Sequence, residues 1–387
     1  MSTIFVTQEV GKIPSGVYTV ISELYENWDY QKFLFSNKLH WIAKEQNVES
    51  LSLYLPSELS YLTSKLKNKV LVFLLKALIK ILLLPYSIIL IIFLVYVLKK
   101  RGIKTIYSHN GGWPGGELNR LTIIAGKLAN IKNNILIIHN TPKKVPLYKI
   151  TINFLLEKLI QYCATDIVTV SVACRESIED NTALKNLKVI YNGVSDCKSA
   201  SNKKNNILNK NEVYRIAFIG EIDRRKGLHT MLKALTRIEE NFEALIIGNG
   251  NDKNYLDQLK KLSRHDKRIK FLGFIDDLTS FYKKIDLLIL PSESFESFGM
   301  TIIEAMKFKI PVICSDFGGM KEVISNYETG LIFESGNSKD LEEKIRLLVN
   351  NNELSRSYGI AGRKRYLDKF SLKNMLDGYM SLLISQS

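Results

Sequence analysis

The stretch from Pro291 to Val323, PSESFESFGMTIIEAMKFKIPVICSDFGGMKEV, limits the fold more than any other part of the chain. An apolar run, IDLLILP, closes at Pro291. Polar and glycine residues follow, and then Met300, Ile303 and Met306 recur at helical spacing. A second short apolar run, PVICS, leads to the pair Gly318 and Gly319, where the strand-to-helix transition repeats. Such alternation predicts an α/β fold with a parallel sheet, whose loops emerge at the carboxyl ends of the strands, where open sheets of this kind bind ligands.

A helix opening near Phe298 to Thr301 presents unpaired N–H groups and the positive end of its dipole, and Gly299 lets a ligand come close to the backbone. That suits a phosphate. Glu296 stands on the loop and Glu304 eight residues later, about two turns on, so both carboxylates can face one crevice. Carboxylates accept hydrogen bonds from hydroxyls. Amides for a diphosphate and carboxylates for sugar hydroxyls together fit a nucleotide sugar; the plainer alternative is a surface helix with two solvated glutamates.

The spacing Glu296-x7-Glu304, with SFG after the first glutamate, EAM around the second, and PV and GG-x-x-E beyond, resembles the signature of retaining family-four glycosyltransferases. The resemblance implies two Rossmann-like domains facing across a cleft, the GT-B architecture. It gives Glu304 to the nucleotide ribose, Glu296 to the donor sugar hydroxyls, and the amides of Phe298, Gly299 and Met300 to the diphosphate.

A chain of 387 residues, 46% apolar and 24% charged, suits two globular domains. Its net charge of +15 calls for an anionic partner, and nucleic acid, anionic lipid and nucleotide sugar all qualify. Cys163, Cys174, Cys197 and Cys314 lack metal-site spacing, so reduced thiols are expected. The N-terminal residues lack the basic and apolar regions of a secretory signal.

Residues 1–200 read as the acceptor-binding domain. Thr3 to Val6 forms a strand, Gly11 to Ser15 a loop, and a helix begins at Gly16; the resemblance places glycines of this first loop near the donor sugar, and Gly16 matches that usage. Further strands are expected at Phe33 to Ser36, Trp41 to Lys44 and Leu51 to Leu55. Ile81 to Leu98 carries no charge, is interrupted by Pro85, and is flanked by lysines on both sides. Three readings stand: a helix buried in the domain, an apolar, basic-rimmed helical pair at 70–104 lying on an anionic membrane surface, or a spanning helix. The last would place the two halves of one sheet on opposite sides of the bilayer.

Lys104 to His109 reads as a strand, followed by the glycine-rich loop Asn110 to Gly116. Gly112, Gly115 and Gly116 leave backbone free to wrap a sugar, unless the loop is a flexible turn. Asn134 to Ile138 is a buried strand ending at His139, placed to contact a sugar or else to bond a loop carbonyl, and His109 is similarly placed one strand earlier. Family members usually carry a histidine at the place of His139.

Asp166 to Val170 and Lys188 to Tyr191 are short strands, and Asn192-Gly193-Val194 resembles the family's NGV signature at the end of the first domain. Residues 201–211, rich in lysine and asparagine, read as the linker, 212–372 as the nucleotide-sugar domain, and 373–387 as a C-terminal helix returning to the first. Arg215 to Ile219 leads through Gly220 to Lys226-Gly227 and a helix from Leu228. There a lysine beside a helix N-terminus can oppose a diphosphate, or form a solvated basic turn. The family commonly has arginine after the first glycine; here Glu221 stands there, and Arg224 or Arg225 is the substitute. Gly248 and Gly273 follow strands of the kind expected around a nucleotide base.

The expected activity is transfer of a hexose from a nucleoside-diphosphate sugar, with retention, to a saccharide acceptor, lipid-linked, in surface polysaccharide or lipopolysaccharide assembly. Glu296, Lys226, His139 and Arg225 form the catalytic set, and Glu304, Phe298, Gly299, Met300, Gly220, Arg224, Gly248 and Gly16 the donor set. Gly112, Gly115, Gly116 and His109 form the sugar loop. No metal and no cofactor beyond the donor is expected, since no Asp-x-Asp stands in a metal-site loop. The expected location is the cytoplasm, peripheral to the inner membrane face. Nucleic acid is not an expected partner, because the basic runs carry no interleaved aromatics. A noncatalytic binding protein of this fold and a sugar-nucleotide epimerase are the alternatives.

Overall fold

A computed structural model describes residues 2–7, 16–36, 69–142, 150–197, 213–275 and 277–384. The strands expected at 41–44 and 51–55, the loop at 11–15 and the linker at 201–211 lie outside the described residues. The chain divides into two compact units, Met1–Ile190 with Leu376–Ser387, and Tyr191–Met375.

In the first unit β1 (Thr3–Thr7), α1 (Gly16–Glu26), β2 (Lys32–Ser36), α2 (Lys69–Lys100), β3 (Thr105–Asn110) and α3 (Glu117–Leu128) follow one another. Then come β4 (Asn133–Ile138), α4 (Ile150–Cys163), β5 (Asp166–Thr169), α5 (Val172–Asn181) and β6 (Lys188–Val189). The strands form one sheet in the order β2-β1-β3-β4-β5-β6, parallel throughout. Every residue of β1, β3 and β4 is buried, which is why NILII reads as a continuous apolar run rather than an alternating one.

Of the three readings of 70–104, the helical pair is replaced by one helix, α2, running through Pro85. Leu90, Leu94 and Leu98, four residues apart, point into the core with Ile4, Val6 and Ile106. Among the described residues no helix is long and apolar enough to cross a membrane.

The second unit opens with β7 (Tyr214–Ile219), α6 (Leu228–Leu235), β8 (Phe242–Ile247), α7 (Lys253–Ser263), β9 (Ile269–Gly273) and α8 (Leu278–Tyr282). It continues through β10 (Leu287–Leu290), α9 (Met300–Lys307), β11 (Val312–Ser315), α10 (Met320–Val323) and β12 (Gly330–Phe333). α11 (Ser338–Val349), α12 (Asn352–Arg365), a π-helical turn (Tyr366–Phe370) and the start of α13 (Leu372–Ile384) close it. The sheet order is β12-β11-β10-β7-β8-β9, again all parallel. From Leu376 onward α13 belongs to the first unit, where the Tyr379 ring meets Tyr107 edge-on at 5.4 Å and Tyr107 Oη donates to the Tyr379 carbonyl at 2.9 Å.

Both units are Rossmann-like α/β domains, and in each the strand order reverses once. The reversal falls between β1 and β3 in the first sheet and between β7 and β10 in the second. Loops leaving two adjacent strands in opposite directions open a crevice at that point, which fixes where a ligand site belongs.

Candidate active site

In the second unit the loops after β7 and β10 leave side by side because those two strands pair. Gly227, at φ 64°, ends the 3₁₀ turn Arg224–Lys226 and starts α6; a Cβ there would overlap the Pro291 carbonyl, so only glycine lets the two loops touch backbone to backbone. The Glu293 N–H donates to the Arg225 carbonyl at 2.9 Å across the same seam. Asp223 caps the turn by accepting the Lys226 N–H at 3.0 Å. Held this way, Lys226 reaches across, and its Nζ donates to Glu296 Oε2. Their side chains are only 15% and 20% exposed, which sets the pair apart from a solvated basic turn.

The backbone of Glu296 is fixed separately. Gly318, at φ 75°, lies so close to the Glu296 carbonyl that no Cβ fits, and the Gly319 N–H donates to that carbonyl at 2.8 Å. The glycine pair thus serves as a clamp on the first glutamate of the motif.

Helix α9 begins at Gly299, φ 91°, with no side chain capping it. Among the described residues nothing accepts from the amides of Phe298, Gly299 or Met300. The Phe298 ring is buried against Phe370 and Tyr191, at 5.7 and 6.1 Å, so this residue offers the crevice its backbone alone. Tyr191 in turn donates to Glu322, the glutamate of GG-x-x-E, at 3.1 Å.

Two turns along α9, Glu304 Oε2 accepts from Tyr282 Oη at 2.7 Å. Tyr282 stacks on Phe308 at 5.4 Å and is buried, which together with the Glu304 charge raises its pKa well above the usual phenol range. It therefore remains a donor that orients the carboxylate. Glu296 and Glu304 are both half-buried rather than turned out into solvent, each held by a partner.

The arginines go elsewhere. Arg224 lies over the Tyr255 ring at 4.7 Å and donates to Gln258 at 3.0 Å, while Arg225 donates to Asp223 at 3.1 Å. Gly248 packs directly on the Gly220 carbonyl, so both glycines join the β7 and β8 loops. Behind Lys226, Glu293 accepts from Thr230 Oγ1 and lies 3.2 Å from His229 Nε2.

In the first unit His109 and His139, at the ends of β3 and β4, meet with Nδ1 of the former 2.9 Å from Nε2 of the latter. Burial holds both neutral: His109 falls well below the usual histidine range, and His139 is pushed down to about 3. His109 Nε2 has no partner among the described residues. An orphaned N–H is the rarer defect, so the proton belongs on His109 Nδ1; His139 then accepts at Nε2 and carries its own proton on Nδ1. His139 is a neutral hydrogen-bond donor, not an acid.

The Asn110–Gly116 loop is built, not loose. Asn110 Nδ2 donates to the Gly115 carbonyl at 2.8 Å and its Oδ1 accepts the Gly112 N–H at 2.9 Å. Trp113 is buried and donates at 2.9 Å to Glu157, whose other oxygen accepts the Ala183 N–H at 2.8 Å. Asn119 ties the Val6 and His109 carbonyls together at 3.1 and 2.9 Å, joining β1 to β3 at the reversal. Gly16 is the first residue of α1 and is exposed.

Sequence reasoning missed Tyr282, Asn119 and the Trp113–Glu157 bond. Tyr282 precedes β10 in a five-residue helix, and no spacing rule ties it to Glu304.

The family model described as glycosyl transferases group 1 matches residues 199–365. An uncharacterized glycosyltransferase of Methanocaldococcus jannaschii is 30% identical over 291 residues, which cover 73% of this chain and 75% of that protein. The chain belongs to the glycosyl transferases group 1 family. Lys226, Glu296 and Glu304 lie inside the matched region and His109 and His139 outside it. It is also 30% identical over 240 residues to the capsular polysaccharide biosynthesis glycosyltransferase CapM of Staphylococcus aureus, spanning 58% of this chain and 62% of CapM. The Anabaena protein HepE, solved in complex with UDP, superposes with a TM-score of 0.76 over the whole of both chains at 18% identity. That likeness identifies the fold as GT-B.

Proposed function

We propose that the crevice at the β7/β10 reversal binds a nucleoside-diphosphate sugar and that the protein transfers its hexose, with retention, to a saccharide acceptor in surface polysaccharide or lipopolysaccharide assembly. The observation that carries this reading is the juxtaposition of the Lys226–Glu296 pair with the uncapped amides at Phe298 to Met300. A diphosphate satisfies the amides and competes for Lys226. As the lysine turns to the phosphates, Glu296 is released to accept from sugar hydroxyls. Glu304, oriented by Tyr282, accepts from the ribose.

Breaking the bond between the anomeric carbon and the diphosphate leaves charge on a phosphate oxygen, where Lys226 and the helix amides stabilise it. The acceptor hydroxyl attacks from the same face, its oxygen bonding to the anomeric carbon while its proton passes to the departing phosphate. Charge on the leaving group is met by protein groups without a metal ion. His139 donates a hydrogen bond to a sugar oxygen. Lys226 and Glu296 perform the catalytic work, and Arg224 and Arg225 support the shape of the loop through Gln258 and Asp223.

Membership of this family and the CapM likeness support a transferase acting on polysaccharide precursors. The test is release of nucleoside diphosphate from a panel of UDP- and GDP-hexoses, with and without saccharide acceptors, in buffer with and without EDTA. Acceptor-dependent release, unaffected by EDTA, with the donor's anomeric configuration kept in the product by NMR, is the expected outcome. Conversion of the donor without acceptor would instead support the epimerase. An inverted product would overturn the front-face step.

A further inference from the structure

Helices α2, α3 and α4 pack side by side and send their inner residues into one core cluster, so they form a single layer on one face of the first sheet. The outer side of that layer is not the polar surface such helices normally present. On α2, Ile88, Ile89, Ile92, Phe93 and Tyr96 are 40% to 64% exposed. On α4, Ile152, Phe154, Leu155, Leu159 and Tyr162 are 44% to 70% exposed, and Leu128 at the end of α3 adds a further 59% exposed leucine. Apolar exposure on this scale marks an interaction site.

The exposed charge on α2 and α4 has one sign. Neither α2 nor α4 carries an exposed carboxylate: α2 contains no Asp or Glu, and Glu157 of α4 is buried, accepting from Trp113 and Ala183. Lysines accompany the exposed rings instead, Lys100 over Tyr96 at 5.6 Å, Lys158 over Phe154 at 5.6 Å and Lys127 over Tyr162 at 4.5 Å. Aromatic rings with ammonium groups beside them, around aliphatic side chains, match the chemistry of a bilayer's headgroup boundary.

We infer that the outer face of α2 and α4 docks on an anionic lipid surface, with the isoleucines and leucines entering the acyl boundary and the lysines meeting headgroup phosphates. This surface includes α4, which lies well outside the 70–104 segment, and none of the proposed donor-binding residues. The inference goes beyond the transferase reading and stands without it.

Flotation of the full chain with phosphatidylcholine vesicles, with and without phosphatidylglycerol, tests it. The wild type should float with the anionic vesicles and lose binding as salt rises. Ile152→Glu with Leu155→Glu should lower the partition coefficient more than about tenfold. Lys127→Gln with Lys158→Gln should lower it about fivefold per charge on anionic vesicles only. Circular dichroism melts and a nucleotide-sugar thermal shift check that the variants are folded, and Leu155→Gln alone carries the test if the double variant is not. Donor turnover on a soluble saccharide should be unchanged, so this inference and the transferase reading can fail separately. A wild type that ignores anionic vesicles, or Glu variants that float like it, would overturn the proposal. So would wild-type dimers in sedimentation that the Glu variants split, since the face would then belong to a second copy.

Discussion

Where β7 and β10 part, the chain places a lysine, two carboxylates and a helix end with open amides; at the ends of β3 and β4, beside the β1/β3 reversal, it places two neutral histidines and a loop rich in glycine. The sheets share a parallel plan and one reversal of order, so topology alone predicts a ligand at each. The difference lies in charge. A crevice that must hold a diphosphate needs fixed positive groups and acceptors for hydroxyls, whereas one that handles an uncharged sugar needs neutral donors and close backbone. Burial enforces the second condition by keeping His109 and His139 unprotonated.

The sharpest way to break this contrast is to remove one group from each crevice. Lys226→Ala should lower kcat by about 100- to 1,000-fold, the loss typical of a group that stabilises transition-state charge, while His139→Asn should cost about tenfold. Equal losses measured in the same steady-state assay would erase the distinction.

Next in size is Trp113→Phe, which deprives the buried Glu157 of its indole donor and should destabilise the protein by roughly 1–3 kcal/mol in denaturant melts. A change near zero would mean that the glycine loop is not held from beneath.

The histidines predict a pH effect of known sign. An unfolded chain takes up protons at both rings below about pH 6.5, but the folded chain resists, in the case of His139 until about pH 3. Their contribution is thus fully present above pH 6.5 and lost as pH falls, at about 1.4 kcal/mol per pH unit for each ring. Thermal melts between pH 7 and 5 should show this slope, and the His109→Asn, His139→Asn double variant should flatten it. A slope unchanged by the double substitution would mean that other groups produce it.

Smallest is Tyr282→Phe, which frees Glu304 from its donor. It should weaken donor binding about fivefold, near 1 kcal/mol, and leave kcat almost unchanged. A fall in kcat with unaltered binding would move Glu304 from ribose to chemistry.

Much of this architecture was readable beforehand because parallel strands buried on both faces leave unbroken apolar runs, such as NILII, which ends at His139, and IDLLILP, which ends at Pro291. Glu296 and Glu304 could be placed together from the sequence because both lie on one local strand-loop-helix segment. Contacts between segments distant in sequence were not readable. Tyr282, its ring stacked on Phe308, donates directly to Glu304 across 22 positions, and Trp113 reaches Glu157 across 44. Gly227 and Gly318 were visible as glycines, but the carbonyls of Pro291 and Glu296 that require them become neighbours only in the folded sheet. Charge at Arg224 and Arg225 was likewise visible, but its direction depended on Tyr255, Gln258 and Asp223. Pro85 suggested a break, yet α2 continues through it with Leu90, Leu94 and Leu98 anchored in the core.

The central claim, that the β7/β10 crevice grips a nucleoside diphosphate with Glu304 on its ribose, is tested most directly by thermal shift with a panel of nucleotide sugars on the wild type and on Glu304→Ala. One donor should raise the melting temperature of the wild type, following its free concentration over Kd, and fail to raise that of the variant. Equal shifts in both proteins would contradict the assignment.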